Sequence, residues 1–222
     1  MANVSHELKS PLTSMRGYIQ GVLDHTISNE DREKYLAIAL EETERMNRLI
    51  NDLLDLSQIQ TGQFSLDIKV LDINETIRRV LIAWEDRINE KGMDIEVDFD
   101  QEARLVEGDP DRLQQVIINL LDNAIKFTRE GGLIKLKTWQ YKEKVFVKVE
   151  DQGPGIPEDE IAHIWEPFYQ IDKSRSRVKG GTGLGLSIVK KIIEGHGQNI
   201  WLNSEKGKGS AFIFSLRAAK KA

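Results

Sequence analysis

Near its start the chain places an imidazole, a carboxylate and a hydroxyl together: His6, Glu7 and Ser10, in the stretch VSHELKSPLTSMRGYI, residues 4–19. They stand just before Pro11, inside an apolar pattern that is otherwise helical. An imidazole at such a place could serve as a nucleophile or an acid–base group. A lone histidine on an amphipathic helix is more often simply solvated, so His6 decides nothing by itself. Its meaning depends on whether the rest of the chain builds something for it to react with.

Three motifs downstream have that character. On a helix over 112–127, drawn at about 100° per residue, Leu113, Ile117, Leu120, Ala124 and Phe127 fall together as a buried stripe. Asn119, Asn123 and Lys126 fall within roughly 60° of one another beside it. An asparagine carbonyl oxygen suits a hard cation such as Mg²⁺ that keeps phosphate and water ligands, and Lys126 brings positive charge for phosphates. For this triple alone, a solvated face is an equally good reading. The second motif is Asp151-Gln152-Gly153-Pro154-Gly155-Ile156, which ends a strand whose apolar face is Val145, Val147 and Val149. Gly153 and Gly155 allow close backbone approach. Asp151 accepts hydrogen bonds only and suits the exocyclic amine of adenine. Alone, this stretch is more often a tight turn.

The third motif is Gly180-Gly181-Thr182-Gly183-Leu184-Gly185-Leu186-Ser187, which runs into a helix expected over 188–194. A glycine loop that opens a helix presents backbone N–H groups and the positive end of the helix dipole to an anion. It is not a Walker loop, since Leu186 stands where that pattern needs lysine, nor a dinucleotide fingerprint, since the last glycine is missing. Residues 172–179 before it carry Lys173, Arg175, Arg177 and Lys179 and few apolar side chains. That composition fits a lid that orders on a triphosphate, or a plain surface loop.

The totals narrow the field. At 222 residues the chain can bury one large core or two smaller ones. A net charge of −5 argues against a nucleic-acid surface, which needs a positive field. No cysteine is present, so disulfides, thiolate zinc sites and cysteine nucleophiles are excluded, in keeping with a reducing compartment. No apolar run reaches the length of a membrane span, and no signal peptide opens the chain. Met1 stands only five residues before His6 in a helical pattern that begins abruptly, so upstream parts are expected to exist.

The elements that must position these groups follow from periodicity. A helix is expected over 3–25, with Val4, Leu8, Met15, Ile19 and Val22 as a buried seam and a loosened turn at Pro11. A turn near residues 25–29 leads, with Ser28 or Asn29 as cap, into a helix to about Gln60. That helix has two neighbouring seams. Leu36, Ala39, Met46, Ile50 and Leu53 lie beside Tyr35, Ile38, Leu49, Leu56 and Ile59. One partner cannot cover so wide a stripe, so two hairpins pairing as a four-helix bundle, a homodimer, are expected. The boundary falls at 61–63, giving a hairpin over 1–62 and a second domain over 63–222. In the second domain a strand is expected over 64–68, and a helix from a capping box at Asp72 and Glu75 to Glu90. Strands follow near 93–99 and 104–107. Asp109-Pro110 opens the asparagine-bearing helix. Hairpin strands cover 133–141 and 145–150, and closing strands 199–203 and 211–216. The pattern predicts a mixed sheet with helices on one face, an α+β sandwich.

The motifs HELKSPL, NLLDNAIKF, DQGPGI, WEPFYQ and GGTGLGL, in this order and spacing, resemble the H, N, G1, F and G2 boxes of bacterial sensor histidine kinases of two-component systems. The resemblance covers essentially the whole chain. It implies a dimerisation and phosphotransfer hairpin followed by a catalytic domain of the Bergerat ATP-binding fold, the cytoplasmic portion of a membrane-anchored sensor. It implies ATP and Mg²⁺, autophosphorylation of His6 on Nε2 with Glu7 holding the Nδ1 proton, and transfer to an aspartate of a response regulator receiver domain. By the same resemblance Asn123 is the main Mg²⁺ ligand and Asn119 its helper. Lys126, Lys173 and Arg175 meet phosphates or belong to the lid. Asp151 reads adenine in the G1 loop with Gly153 and Gly155. Gly181, Thr182, Gly183, Leu184 and Gly185 form the lid hinge and phosphate-side loop, and Phe127, Ile156, Phe168 and Tyr169 wall the adenine or brace the lid. Two positions depart from the family. Ser10 stands where threonine or asparagine is usual, which puts phosphatase activity in doubt, and Gln170 stands where many members have arginine. Two other readings share the nucleotide motifs: a gyrase- or chaperone-like ATPase, and a non-catalytic ATP-sensing dimerisation module. His25, His163 and His196 lack the context of His6 and read as structural.

Overall fold

A computed structural model describes residues 2–61, 65–103, 105–171 and 182–219, with the side chains of 2–7 and 59–60 outside the description. The chain divides into two compact units, one built on the helical hairpin and one on residues 65–171 and 183–219.

The hairpin comprises α1 (Ala2–Leu23) and α2 (Arg32–Gln60). The loosened turn expected at Pro11 does not break the helix: α1 runs through it, with the ring buried. In the connecting turn His25 takes a positive φ of 60°. Ser28 Oγ accepts from the Asp31 amide at 3.2 Å and donates to the Asp31 carboxylate at 2.9 Å, so Ser28 supplies the cap. Between the helices Met15, Val22, Ala39 and Leu49 are buried. Thr43 Oγ1 bonds back to the Ala39 carbonyl at 2.9 Å, the usual way a mid-helix threonine satisfies its hydroxyl. The wide stripe is only half covered. Ile19, Leu36 and Ile50, expected in buried seams, remain 46%, 43% and 42% exposed, because a single partner helix covers a single seam.

The second unit is a seven-stranded sheet with β1 (Lys69–Asp72), β2 (Asp94–Phe99), β3 (Leu105–Gly108), β4 (Leu133–Tyr141), β5 (Lys144–Asp151), β6 (Ile200–Glu205) and β7 (Gly209–Ala218). The order is β1-β3-β7-β5-β4-β2, with β6 also pairing β7. The β2–β4 pair is parallel and the others antiparallel, so the sheet is mixed as expected. Helices α3 (Ile73–Ala83), α4 (Glu85–Glu90), α5 (Pro110–Phe127) and α6 (Gly185–Gly195) accompany it. Alternation puts Val145, Val147 and Val149 of β5 and Phe212, Phe214 and Leu216 of β7 on one face, under α5 and α6. The opposite face carries Trp139 stacked on Phe146, ring centroids 5.3 Å apart.

Three expectations need correction. The strand placed over 64–68 lies further on, at Lys69–Asp72, where the backbone can pair with β3; Ser65–Ile68 is irregular and Phe64 lies outside the described residues. The helix opened by Asp72, whose side chain accepts from the Glu75 amide, does not run unbroken to Glu90. Trp84 leaves helical geometry (φ −109°, ψ 6°) and its amide bonds to both Val80 and Leu81 carbonyls, a tightened last turn after which α4 restarts. The helix expected over 188–194 begins three residues earlier, at Gly185.

Candidate functional site

The polar side chains of the asparagine helix are positioned by its two ends. At the start Asp109 caps α5, its Oδ1 accepting from the amides of Asp111 and Arg112, with Pro110 at the first helical position. Towards the other end Leu113, Ile117, Leu120 and Ala124 are buried as the wheel required, and Lys91 Nζ donates to the Ile125 carbonyl at 2.6 Å. Asn119, Asn123 and Lys126 lie half-buried along the rim of that core. Phe127 departs from the stripe and is 43% exposed: it is the last residue of the helix, and the chain turns extended at Thr128, which is buried in its place. Lys126 pairs with Asp122, which also meets Arg87 at 3.4 Å. The amide nitrogen of Asn119 is buried without a hydrogen-bond partner. A buried polar atom left unmatched is costly, and this one is a donor, open to an acceptor such as a phosphate oxygen.

Asp151 ends β5 beside this helix. It is 8% exposed, and burial pushes its carboxyl up to about 6 against the pull of the Gly153 and Ser210 amides. Gly153 donates to Asp151 Oδ1 at 2.8 Å. The loop then passes so close to the β6–β7 turn that only glycine fits at 155: φ is +66°, and an added Cβ would lie 2.0 Å from the Glu205 carbonyl oxygen. Ser204 Oγ accepts from the Ile156 amide at 2.8 Å, and the Gly207 amide donates to the Pro154 carbonyl at 2.6 Å. The loop is therefore latched to the hairpin at both of its ends.

The third motif meets the first. Phe168 has a positive φ of 67°, unusual for a bulky residue, and its amide donates to the Gly183 carbonyl at 2.9 Å. Gly183 in turn has φ +70°, with no room for a Cβ against the Phe168 backbone. Leu184 is fully buried and leads into α6, whose N-terminus has no side-chain cap, the kind of helix start at which backbone amides can receive an anion. Gly185 faces Asn119: a Cβ there would sit 3.6 Å from the Asn119 amide. Tyr169 bonds Glu160 through its hydroxyl and lies 5.5 Å from the His163 ring, whose pKa is raised by its bond to Glu166.

The C-terminal end of α5, the end of β5 and the start of α6 thus converge. They bring Gly185 beside Asn119, Gly183 beside Phe168, and Gly153 beside the Phe127 carbonyl at the end of α5, with Asp151, Gly155 and Ile156 in the same stretch as Gly153. Lys173, Arg175 and Gly181 lie outside the described residues, and Thr182 is half-buried in the loop before Gly183. In the hairpin unit Ser10 is exposed one turn after His6; the backbone of His6 and Glu7 is helical and their side chains are outside the description. Among the described residues no three His, Asp or Glu side chains gather as a metal cage. A cation here would take most of its ligands from phosphate and water, which is what neutral asparagine oxygens suit. Sequence reasoning missed Ser204 and Lys91 as supports, since nothing local marks them.

This arrangement defines a nucleotide-binding domain attached to a helical hairpin. Residues 108–220 match the family of histidine kinase-, DNA gyrase B- and HSP90-like ATPases, and residues 1–62 match the His Kinase A (phospho-acceptor) domain. The sensor histidine kinase WalK of Bacillus subtilis is 35% identical over 97% of this chain, which spans only 36% of that relative's length. The structure of the histidine kinase AdeS of Acinetobacter baumannii superposes with a TM-score of 0.78, at 29% identity, over 97% of this chain and 98% of that one. That of the histidine kinase ThkA in complex with the response regulator protein TrrA gives 0.78 at 33% identity, over 98% of this chain and 60% of that one. The chain belongs to the sensor histidine kinase family.

Proposed function

We propose that the chain is the core of an ATP-dependent protein-histidine kinase that phosphorylates itself on His6 and passes the group to an aspartate of a response regulator. The observation that carries this reading is one helix, α5, whose buried and unpartnered Asn119 amide nitrogen lies beside Gly185 at the start of α6, and whose end lies against the loop that follows the buried Asp151. Asp151 accepts from the amine of adenine, between Ile156, Phe127, Phe168 and Tyr169. Asn123, helped by Asn119, would hold Mg²⁺ on the triphosphate, and the cation would supply charge neutralisation for phosphoryl transfer. Lys126 exchanges Asp122 for a phosphate oxygen, and Lys173 and Arg175 close over the triphosphate as parts of a lid hinged in the 181–185 loop. His6 Nε2 forms a bond to the γ-phosphorus as the bond to the β-phosphate oxygen breaks and ADP leaves, with Glu7 holding the Nδ1 proton. Ser10 keeps the hydroxyl that threonine would offer but lacks the methyl that restricts its rotamer, so it orients water less well and phosphatase activity is weak.

The hairpin match, the half-covered apolar stripe and the ThkA–TrrA complex support a homodimer that docks a response regulator. No helix among the described residues is long and apolar enough to cross a membrane. The chain spans about a third of the length of the WalK relative it matches.

Incubation with γ-labelled ATP tests the reading. The protein should acquire label that is stable to alkali and lost in acid, and His6→Gln should acquire none. Free phosphate without labelled protein would place the chain with the gyrase-like ATPases instead, and binding without either with the ATP sensors.

A further inference from the structure

The Asp109 carboxylate does more than cap α5. Its Oδ2 accepts from the backbone amide of Asp67 at 2.9 Å, in the irregular segment that brings the chain from the hairpin to β1. Its own amide donates to His196 Nε2 at 3.0 Å, while His196 Nδ1 sits 2.7 Å from the Ile192 carbonyl near the end of α6. Nε2 accepts from an amide and Nδ1 faces a carbonyl, so the tautomer that fits both contacts carries its proton on Nδ1. Asp109 is 7% exposed. Burial works to raise its pKa, but the amides of Asp67, Arg112 and Asp111 and the Arg112 guanidinium outweigh this, and the carboxyl stays charged below its usual range.

Three chain segments therefore meet at one buried residue: the incoming tether and the start of α5 on the Asp109 carboxylate, and the end of α6 on the Asp109 amide through His196. This is the end of the helices opposite to Asn123 and Gly185. Packing holds the tether poorly here. Ile68 is 49% exposed, and Leu66 and Ile68 line a cavity of about 350 Å³ with Glu107, His196 and Arg217. The Asp67–Asp109 bond, with the Lys69–Asp67 pair on the surface, supplies the hold that packing does not.

We propose that Asp109 and His196 form a latch that fixes where the tether leaves the catalytic domain, making them positioning residues for phosphoryl delivery rather than for nucleotide binding. The proposal rests on the kinase reading above. Releasing residues 65–68 would add roughly 13 Å of extended chain between the hairpin and β1. A tether's length sets the effective concentration at which a tethered site meets its target, and orientation is lost with it. Slack should therefore lower the rate of transfer to His6 and leave the affinity for nucleotide alone.

Asp109→Asn separates these effects, since asparagine caps a helix as well as aspartate but presents an amide group where Asp67 needs an acceptor. In the whole chain, expected outcomes are a drop of about threefold or more in labelling rate at saturating Mg-ATP, with affinity for a fluorescent ATP analogue within about twofold. Amide exchange at Asp67 should speed up. His196→Ala should act in the same way, and His196→Gln, whose side-chain oxygen can accept from the Asp109 amide, should restore the rate. An unchanged rate in both Asp109→Asn and His196→Ala, or rate and affinity falling in step with thermal stability, overturns the latch. Wild-type protein that binds no nucleotide or takes up no label overturns the kinase reading beneath it instead.

Discussion

At the scale of single residues, Asp151 shows how burial and function pull against each other. A carboxyl raised to about 6 by burial costs stability when ionised, on the order of 3 kcal/mol at pH 7. The sign is that of a raised acid: the cost is present in full above pH 6 and is relieved as pH falls from there towards the unfolded value. Nucleotide binding runs the other way, because the proposed adenine contact needs the charged acceptor. Affinity for ATP should therefore fall as pH drops through about 6, while this residue's burden on the fold lightens. Asp151→Asn should leave thermal stability at pH 7 unharmed or improved, and weaken ATP by about tenfold to a hundredfold in a calorimetric titration. Equal affinity in the variant, or a flat pH response between 5 and 7, would remove Asp151 from the adenine site. Asn123→Asp makes the complementary test. A second negative charge beside the triphosphate should cut labelling of His6 by about a hundredfold with the hairpin's association unaffected; full labelling would mean another residue holds the cation.

At the scale of elements, the nucleotide loops work because their supports are elsewhere in the chain. Ser204 bonds the Ile156 amide across 48 residues, and the Glu205 carbonyl occupies the space a side chain at 155 would need. Gly155→Ala meets both a disfavoured positive φ and a backbone clash, and should cost about 2–4 kcal/mol in urea denaturation. Ser204→Ala should cost about 1–2 kcal/mol, and loosen the loop enough to weaken nucleotide. A cost of under half a kilocalorie for Gly155→Ala would show that the loop relaxes freely. The same distances explain what could be read in advance. The asparagine helix, the Asp109-Pro110 start and the strand before Asp151 are encoded by neighbours in sequence, by caps and by periods of 3.6 and 2. They were expected and are present. The break at Trp84, the strand at 69–72, the bond from Asp109 to His196 across 87 residues and the seat of Ser204 depend on partners that local pattern does not name. His196 had the least to give it away, since a histidine in a Gly-His-Gly turn looks the same whether or not its ring is tied down. The exposure of Phe127 belongs with these: its place on the wheel was right, but a wheel does not say where the core ends.

At the scale of the whole molecule, the hairpin exposes more apolar surface than one chain can cover. Leu36 and Ile50, like Leu40 and Leu54, are spaced by two heptads on α2, and Leu12 and Ile19 by one on α1. Leu40, Leu54 and Leu12 are 62%, 57% and 57% exposed. Spacing of this kind makes a continuous seam, and burying a leucine side chain is worth about 1.5–3 kcal/mol, so leaving such a seam in water is expensive. A second copy presents the same seam and can interdigitate with it, which gives the symmetric interface that closes without leaving a free edge. Wild-type chain should therefore sediment as a dimer at about 10 μM. Carrying Ile50→Glu and Leu54→Glu together should produce monomers, because four carboxylates would face one another in the bundle core. Those two side chains are already exposed within a single hairpin, and neither belongs to the second unit, so nucleotide affinity should stay within about twofold of wild type. A wild type that sediments as a monomer, or a double variant that remains dimeric, would mean the seam is covered by something other than its own copy.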